Sequence, residues 1–385
     1  MTTYSRELEL KLFIDGKEEL PGEKGAIPNA NGTNVLSLTC DKQLDKPDML
    51  SFTVTMLERN EFVVLDKIKF GVPVKVVAGY EAPETLFEGE VCYVNPKFQA
   101  GKSIVEVVCY SKLWRLTVGN TNSRAVGDGH QSNVSSSSVF STVVGDAGAH
   151  KGASDGLSVA SGSQSIKFEY VSQVGLNDFQ FLQQLAGGAG FAMRGGSSPS
   201  EIQLKPIETS GSAKLTVHRD REDAGATDVL ATRADFTNSI VRQVAEVWVR
   251  GYDHLKRKGF VGKANKPSSV LGGDSGIDQT GKALYNAAGK GKIIQVLDAP
   301  VASEDEAKGV AQALLDRFSS KWMTGRVSMY ARPEMAPGDI VDMKDFGVRF
   351  SGKYLVTGVQ HLWNGGGSSP MVTHLTVERN GSPTP

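Results

Sequence analysis

The stretch GRVSMYARPEMAPGDIVDMKDFGVRFSGKYLVTGVQH, residues 325–361, decides the fold class of this chain. Apolar and polar residues alternate in three short runs, around Val327, around Ile340 and from Tyr354 onward. Alternation with period two is typical of strands that bury one face. Pro337-Gly338 predicts a turn between two of the runs, because proline presets φ and glycine accepts a positive φ. The stretch therefore predicts a meander of strands.

The same stretch carries a family resemblance. Residues 335–341 (MAPGDIV) and 350–356 (FSGKYLV), followed by His361, resemble the closing segment of the late-control D family of contractile phage tails. That family is the hub shared by tailed phages, type VI secretion spike proteins and extracellular contractile injection systems. No residue of the stretch resembles a nucleophile, a paired acid or a metal cluster, so the stretch favours a structural role.

Further segments resemble the same family in its own order. Residues 71–76 (GVPVKV), 86–91 (LFEGEV) and 107–116 (VVCYSKLWRL) are similar to its first tube domain. Residues 170–186, with YVSQ followed by NDFQFLQQLA, are the piece of the chain most similar to this family, and residues 247–253 (VWVRGYD) resemble its second tube domain. The resemblance thus extends over nearly the whole chain.

Length and charge set the broad class of the protein. The chain has 385 residues, 39% of them hydrophobic, and its 42 basic and 43 acidic side chains give a net charge of -1. This balance predicts no recognition of nucleic acid and no attraction to anionic membranes. The N-terminus has no secretory leader, and no apolar run approaches the roughly 20 residues that span a bilayer. We therefore expect a protein that is assembled in the cytoplasm and does not insert into a membrane.

The sequence predicts an α+β, mainly β protein with two tail-tube-like β-barrel domains plus a middle mixed domain. Residues 1–116 are expected to form the first barrel and residues 117–237 the middle domain with Gly/Ser-rich loops. Residues 238–385 are expected to form the second barrel, with a flexible insertion at about 263–292 and a helix at about 303–320.

Three local signals refine this prediction. Asp15-Gly16 after an alternating run predicts a hairpin turn. Asn177-Asp178 is expected to cap a helix that follows, and Ser303 with Glu306 predicts a capping box at the start of another. The last five residues, Gly381 to Pro385, are expected to form a frayed end.

Recognisable catalytic patterns are absent from the sequence. It contains no GxxxxGK[ST], HExxH or GxSxG motif, and its six histidines are scattered. Cys40, Cys92 and Cys109 are too few and too far apart for a zinc site, and an odd count argues against a disulfide framework. We therefore expect no catalytic residue, no cofactor and no metal.

The resemblance implies a specific architecture and set of partners. It implies a homotrimer that forms a pseudo-six-fold ring and joins the hexameric tail-tube protein to a trimeric spike protein. Other baseplate proteins, and a tape-measure protein or effector cargo, are the further partners that it implies. Candidate interface residues are Trp248, Tyr252, Tyr354, His361 and Trp363. The particle could be a phage tail, a tailocin or an injection system.

Two other classes of function remain open at this point. One is a peptidoglycan or polysaccharide hydrolase whose acids would include Glu246 or Asp253; the other is a carbohydrate-binding β-rich protein. An acid pair in a cleft would favour the hydrolase, and exposed aromatic side chains clustered in a groove would favour the carbohydrate-binding protein. Type VI spike proteins continue into an OB-fold and a needle that this sequence lacks, so the spike is either a separate chain or a part outside this sequence.

Overall fold

The computed structural model shows a mainly β protein with a smaller helical component, which confirms the predicted fold class. The structure describes residues 8–18, 34–56, 65–66, 68–80, 83–99, 103–118, 122–126, 134–145, 157–159, 167–168, 171–188, 190–195, 201–206, 211–220, 228–241, 243–253, 256–276, 278, 292–297, 299, 301, 303–365 and 371–382. The remaining parts of the expected loops, at 120–165 and 263–292, and Pro383 to Pro385 lie outside these residues.

The first β unit consists of seven strands that curve around one core. They are β1 (Glu9–Ile14), β2 (Lys17–Glu18), β3 (Asn34–Gln43), β4 (Met49–Met56), β5 (Pro73–Gly79), β6 (Glu84–Lys97) and β7 (Ser103–Tyr110). Strand order is β2-β1-β5-β6-β7-β4-β3, and every pairing is antiparallel. Asp15 and Gly16 both have positive φ, so the predicted hairpin turn is confirmed. Alternate residues such as Leu12, Phe52 and Val107 fill the core.

A 3₁₀ helix, Lys112–Thr117, leads into a middle unit of small sheets and two helices. Its elements are β8 (Asn122–Val126), β9 (Val134–Ser135), α1 (Ser136–Gly145), β10 (Ser158–Val159), β11 (Lys167–Phe168), β12 (Val171–Leu176), α2 (Asp178–Gly188), β13 (Phe191–Gly195) and β14 (Glu201–Pro206). The amide of Gln180 donates to Asn177 Oδ1 over 2.8 Å, and the amide of Asn177 donates to Gln180 Oε1 over 3.2 Å. Asn177 therefore caps α2 as predicted.

The rest of the chain combines a second β unit with a smaller sheet. Its strands are β15 (Leu215–His218), β16 (Val229–Asn238), β17 (Glu246–Asp253), β18 (Lys258–Ala264), β19 (Asp274–Ser275), β20 (Ile293–Val296), β21 (Met323–Tyr330), β22 (Ile340–Lys344), β23 (Gly352–Asn364), β24 (Val372–Arg379) and β25 (Gly381–Ser382). Its helices are α3 (Glu304–Ser319), the 3₁₀ turn Ser320–Trp322 and α4 (Gly347–Phe350).

Six of these strands form a closed barrel in the order β15-β22-β23-β24-β21-β16, with β16 returning to β15. The predicted meander of residues 325–361 supplies three of them. Strands β15 and β16 also belong to this barrel, although the sequence analysis places residues up to 237 in the middle domain. The boundary expected there falls inside the barrel, because β16 pairs with the distant β21.

The strand expected to open the second barrel, β17, instead lies in a separate sheet with β18 and β20. Helix α3 covers one face of this sheet, with Ala307, Ala311 and Leu315 against Val247 and Val249. Ser303 caps this helix as predicted, since its Oγ accepts a hydrogen bond from the amide of Glu306, which is one of the two bonds of the expected capping box. This helix and sheet have a core of their own, so the alternation of β17 reflects burial against α3 and not against the barrel.

The described start of the predicted flexible insertion and the predicted frayed end are bound to each other. Strand β19 pairs with β25, and Asn380 bonds the backbone of Leu271 and Ser269. Trp322 Nε1 donates to Ser382 Oγ. Residues 381 and 382 are therefore part of the packed molecule.

Candidate assembly interface

The two β units repeat one strand order. With the strands of each unit numbered by their sequence, β1, β3, β4, β5, β6 and β7 lie in the order 1-4-5-6-3-2. Strands β15, β16, β21, β22, β23 and β24 lie in the same order. Strands two to six pair antiparallel with one another in both units. The first strand differs, since β1 is antiparallel to β5 whereas β15 is parallel to both β22 and β16. The described pairings close the second unit into a ring but do not join β1 to β3.

The repeat extends to the positions of β-bulges in the fifth strands. In β6 the register with β7 shifts between Val91 and Tyr93, and in β23 the register with β24 shifts between Val356 and Gly358. Val91 therefore corresponds to Val356. A bulge leaves one extra residue on one strand, so its position is a sensitive marker of register.

The second strands carry a matching pair of bulges. The register of β3 with β4 shifts between Val35 and Ser37, and that of β16 with β21 shifts between Ala231 and Arg233. The units can be aligned at the first pair of bulges and compared through the sixth and third strands of each unit. In this alignment the second bulges occupy equivalent positions. The two units are thus equivalent residue by residue over four strands.

The turn before the fourth strand agrees with this alignment. In the first unit the amide of Gly71 donates to the carbonyl of Val91, and the amide of Val91 donates to Val72. In the second unit Gly338 and Val356 form the same pair of contacts, with Asp339 in place of Val72. Gly71 and Gly338 both have positive φ, which a residue with a side chain rarely adopts.

An internal seam fuses the two units into one sheet. Strand β3, the second strand of its unit, pairs antiparallel with the C-terminal half of β23, the fifth strand of the other unit. The seam runs from Gln43 opposite Gly358 to Ser37 opposite Asn364, with Cys40 opposite His361.

The second strand of the second unit, β16, and the fifth strand of the first unit, β6, each have an edge that lacks such a partner among the strands that the structure describes. Strand β16 pairs with β15 only at Val229 and Leu230, so its edge beyond them is open. Strand β6 pairs with β5 only up to Glu90, so its C-terminal half is likewise paired on one side. Tyr93 on this half and Phe98 beside it are 52% and 58% exposed. The open edge of β6 thus carries two large exposed aromatic side chains.

Three predicted interface residues lie on β23, where the structure corrects their role. Tyr354 and His361 are fully buried in this chain, so their side chains are core groups and offer no surface to a partner. Tyr354 Oη donates to the carbonyl of Phe350, and His361 Nδ1 lies 3.0 Å from Thr373 Oγ1. His361 and half-buried Trp363 do stand at an interface, but it is the internal seam with β3.

The other two predicted residues lie on the surface. Trp248 and Tyr252 alternate with Val247 and Val249 along β17, so they occupy the face of the sheet opposite α3. Trp248 Nε1 donates to Glu246 Oε2 over 2.6 Å, and the Lys263 ammonium lies 4.1 Å from the centre of the Trp248 ring. Exposed Ile293 and Leu297 lie on or beside β20 in the same sheet. We call these residues, with Trp248 and Tyr252, the outer face.

A largely buried ion pair stabilises the first β unit. Glu90 is 5% exposed and accepts hydrogen bonds from the guanidinium of Arg115 and from Trp114 Nε1. Burial alone raises the pKa of Glu90, but the hydrogen bonds from Arg115 and Trp114 and the charge of Arg115 hold it below its usual value. This carboxylate therefore stays charged and fixes the 3₁₀ helix after β7 against β6.

Sequence reasoning missed a polar cluster at the closure of the barrel. His218 Nδ1 lies 2.6 Å from Asp345 Oδ2, and His218 Nε2 lies 3.0 Å from Asp228 Oδ2. These residues come from β15, the start of β16 and the turn after β22, so they connect the three strands that close the ring. The sequence offers no motif for them, because Asp345 lies 127 residues after His218 and the three residues form no spaced pattern.

The structure does not assemble the acids of the hydrolase alternative. Glu246 and Asp253 are at opposite ends of β17, which places their Cα atoms roughly 23 Å apart at about 3.3 Å per residue. Glycosidase carboxylates stand about 5 to 9.5 Å apart. Glu246 binds Trp248, and Asp253 Oδ1 accepts from the amide of Lys256 in the next turn. Within the described part of the chain no three His, Cys, Asp or Glu side chains converge as metal ligands.

No helix among the described residues is both long and apolar enough to cross a membrane.

Solved structures of tail proteins share this fold. The 43 kDa tail protein of prophage MuSo2 from Shewanella oneidensis is 12% identical, with 96% of this chain and 98% of that chain covered and a TM-score of 0.65. The tail protein of Neisseria meningitidis MC58 is 12% identical, with 96% of each chain covered and a TM-score of 0.66. An E. coli component of the type VI secretion system, described as similar to T4 tail proteins gp27 and gp5, is 11% identical, with 97% and 77% covered and a TM-score of 0.55.

The fold is therefore that of phage tail proteins and type VI spike and hub proteins, as the sequence resemblance predicts. The family model of the Alg8 N-terminal domain matches residues 30–364, and the chain belongs to this family. Among curated proteins no sequence matches the chain significantly.

Proposed function

We propose that this protein is a non-enzymatic structural hub in the baseplate of a contractile tail or injection system. The observation that carries the proposal is the repeated strand order of the two β units, with coincident bulges, in a chain that has the tail-protein fold. A chain with two equivalent units presents each kind of contact twice, and three such chains around an axis present six equivalent units. The hub would thus match a hexameric tube on one side and a trimeric spike on the other.

The proposed oligomer is a homotrimer, and the middle unit together with the sheet of β17, β18 and β20 would keep its three-fold symmetry. A trimeric spike is supported as a partner by the similarity to a type VI component whose description relates it to T4 tail proteins gp27 and gp5. We propose the tail-tube protein as the partner at the two β units, and other baseplate proteins, a tape-measure protein or effector cargo as further partners. The protein would be assembled in the cytoplasm and then remain in the particle.

We further propose the outer face as a contact for one of these baseplate proteins. Its Trp248, Tyr252, Ile293 and Leu297 combine aromatic and aliphatic side chains, which are enriched at the centre of protein interfaces. Lys263 above Trp248 contributes a cation close to the aromatic ring.

The test is the mass and shape of the purified full chain, measured by native mass spectrometry and electron microscopy with and without the tube protein. We expect a three-fold ring with six similar lobes that nucleates stacking of the tube protein. A protein that remains monomeric beside the tube protein would refute the proposal. Such a result would favour the carbohydrate-binding alternative, for which the outer face offers the exposed aromatic ring of Tyr252.

A further inference from the structure

We infer that the subunits join through a β-strand seam in which the C-terminal half of β6 in one chain pairs antiparallel with β16 of a second copy. This inference rests on the proposed homotrimer and adds the strands, the register and the residues of its interface. It starts from the internal seam, where a second strand, β3, pairs with a fifth strand, β23. The strands with open edges, β16 and β6, are again a second and a fifth strand of their units. Pairing between two chains would therefore repeat a contact that is already present within each chain.

The coincident bulges fix the register of the new seam. In the internal seam Lys42 lies opposite Val359, and Thr39 lies opposite Leu362. On β16, Asn238 is equivalent to Lys42 of β3, and Asp235 is equivalent to Thr39. On β6, Val94 is equivalent to Val359 of β23, and Lys97 is equivalent to Leu362. These equivalences give the register of the new seam. The expected pairs are Ser239–Tyr93, Asn238–Val94, Thr237–Asn95, Phe236–Pro96, Asp235–Lys97, Ala234–Phe98 and Arg233–Gln99.

Side-chain chemistry agrees with this register. It places the carboxylate of Asp235 opposite the ammonium of Lys97, and opposite charges across a strand pair are stabilising. The exposed ring of Phe98 meets Ala234, which removes apolar surface from water. In the single chain Asp235 pairs with Arg233 and Lys97 pairs with Glu106, but the Asp235 and Lys97 side chains are still 59% and 50% exposed, so both are accessible to a partner.

The hydrogen-bonding directions of the two strands also agree. The amide of Ser239 donates to the carbonyl of Trp322 on the β21 side, so the alternate residues Ala234, Phe236 and Asn238 turn their amides to the open edge. In the internal seam the amide of Leu44 donates to the carbonyl of Thr357. The equivalent bond in the new seam runs from the amide of Ile240 to the carbonyl of Cys92.

Pro96 shapes the edge of β6. Proline has no amide hydrogen, and within a sheet it is tolerated where its nitrogen faces away from the paired strand. Its nitrogen therefore faces the open edge of β6. The amide of the equivalent residue, His361, lies on the corresponding side of β23 and faces β3 in the internal seam. The new seam loses one hydrogen bond at this pair, and the same proline hinders unspecific strand addition at this edge.

The seam would make a continuous ring. Strands β6, β7, β4, β3, β23, β24, β21 and β16 follow one another within each chain. If the last of these pairs with the first of the next chain, three chains form a closed ring of 24 strands with no edge left open. Closure is a general way to remove exposed strand edges.

Engineered cysteines test the register. Lys97→Cys and Asp235→Cys are combined in one chain that also carries Cys92→Ser, because Cys92 is only half-buried whereas Cys40 and Cys109 are buried. Directly opposed residues of a pair without mutual hydrogen bonds have close Cβ atoms, which suits a disulfide. We expect mild oxidation to convert most of the protein to covalent dimers and trimers on non-reducing gels.

The matched control replaces Lys97→Cys by Glu88→Cys. Residue 88 is on the same strand, but there β5 occupies the edge, so we expect no covalent oligomer. If the chain with Lys97→Cys and Asp235→Cys forms a native trimer but cross-links no more than this control, the seam is overturned and the proposed hub stays intact. A chain that is monomeric by native mass spectrometry at every concentration would overturn the hub as well.

Hydrogen exchange of the unaltered protein gives a second test without any substitution. We expect the amides of Ala234, Phe236 and Asn238 to exchange at least tenfold more slowly in the trimer than after dilution to monomers. Thr237, whose amide faces β21, serves as the internal control and should change much less. Equal exchange of the three edge amides in both states would refute the seam.

Discussion

Arg379 shows how single residues fix the second β unit. Its side chain is 1% exposed, Nη1 donates to the carbonyl of Ser351, and Nη2 donates to the carbonyl of Arg349. The guanidinium lies 4.5 Å from the centre of the Tyr354 ring. Burial lowers the pKa of Arg379, partly offset by Tyr354. The planar guanidinium thus ties the end of β24 to α4 and to the residue that follows it, with donors in a fixed geometry.

We therefore expect Arg379→Lys to destabilise the protein, because an ammonium cannot serve both carbonyls and the ring at once. The cost should be about 2 to 4 kcal/mol, the range for disrupting a buried charged group with its hydrogen bonds. Urea unfolding at pH 7 measures it. Arg219→Lys is the control, since that side chain is 61% exposed and should change stability by less than about 0.5 kcal/mol. Equal effects at both positions would contradict the assigned role.

His361 makes the stability depend on pH. Burial lowers its pKa to about 3, with a further contribution from Lys42. Below about pH 6.5 the imidazole binds a proton in the unfolded chain but not in the folded chain. The free energy of unfolding therefore falls as the pH drops from about 6.5 towards 3.

His361→Gln should remove this dependence. The difference in unfolding free energy between variant and wild type should then shift in favour of the variant by up to about 1.4 kcal/mol per pH unit between pH 6 and 4. Urea unfolding at several pH values measures this difference, in which the effects of all other groups cancel. Parallel pH profiles for the two proteins would contradict the burial of a neutral imidazole at this position.

At the scale of elements, the packing of α3 on β18 depends on one glycine. A Cβ atom built on Gly262 would stand 2.2 Å from the carbonyl carbon of Ala307 and 2.3 Å from the amide nitrogen of Lys308. Both are backbone atoms of the helix, so the whole helix would have to move away from the sheet. Gly259, on the same strand, has no atom closer than 3.9 Å to the corresponding position.

Gly262→Ala should therefore cost about 1 to 3 kcal/mol or somewhat more, as overpacking does, whereas Gly259→Ala should be tolerated. Thermal unfolding of the two variants compares them directly. A similar melting temperature for both would mean that α3 does not pack as closely on β18 as the structure shows.

The elements themselves could mostly be predicted from sequence, but their partners could not. Caps at Asn177 and Ser303 and the turn at Pro337-Gly338 are local signals, and each is present where predicted. The pairing of β16 with β21 joins strands more than 80 residues apart in the chain. Alternation of apolar and polar residues indicates that a strand has a buried face, but it does not indicate which element covers that face. For the same reason β17 could be recognised as a strand but not assigned to its own sheet with α3.

The candidate interface was only partly accessible to sequence reasoning. Trp248 and Tyr252 lie on the face of β17 opposite α3, so they stay predicted interface residues. Tyr354 and His361 were misjudged because β23 is buried on both faces by its neighbours, which a residue type alone does not reveal. The edges of β6 and β16 gave no signal, since equivalent positions of the two units, such as Tyr93 and Gly358, differ in residue type and only their bulges and pairings coincide.

At the scale of the whole molecule, the duplicated unit gives assembly a thermodynamic consequence. Within a chain the internal seam joins the two units, and in the proposed ring the same contact joins chains. A state that only the folded chain can enter stabilises folding by mass action. The melting temperature of the wild-type protein should therefore rise with its concentration, which differential scanning calorimetry over a hundredfold range can measure.

Ala234→Pro should shift that concentration dependence to at least tenfold higher protein concentrations while leaving the chain folded. The amide of Ala234 faces the open edge and not β21, so proline removes a donor from the seam without breaking the internal ladder. Ala234→Gly keeps the amide and controls for the change in side chain. We expect the proline variant to assemble at least tenfold more weakly by sedimentation, with the glycine variant close to wild type. Assembly of the proline variant at wild-type strength would show that the chains meet through some other surface. A seam that includes Ala234 must be weakened, because the variant lacks one hydrogen-bond donor and carries the bulk of the pyrrolidine at the edge of the strand.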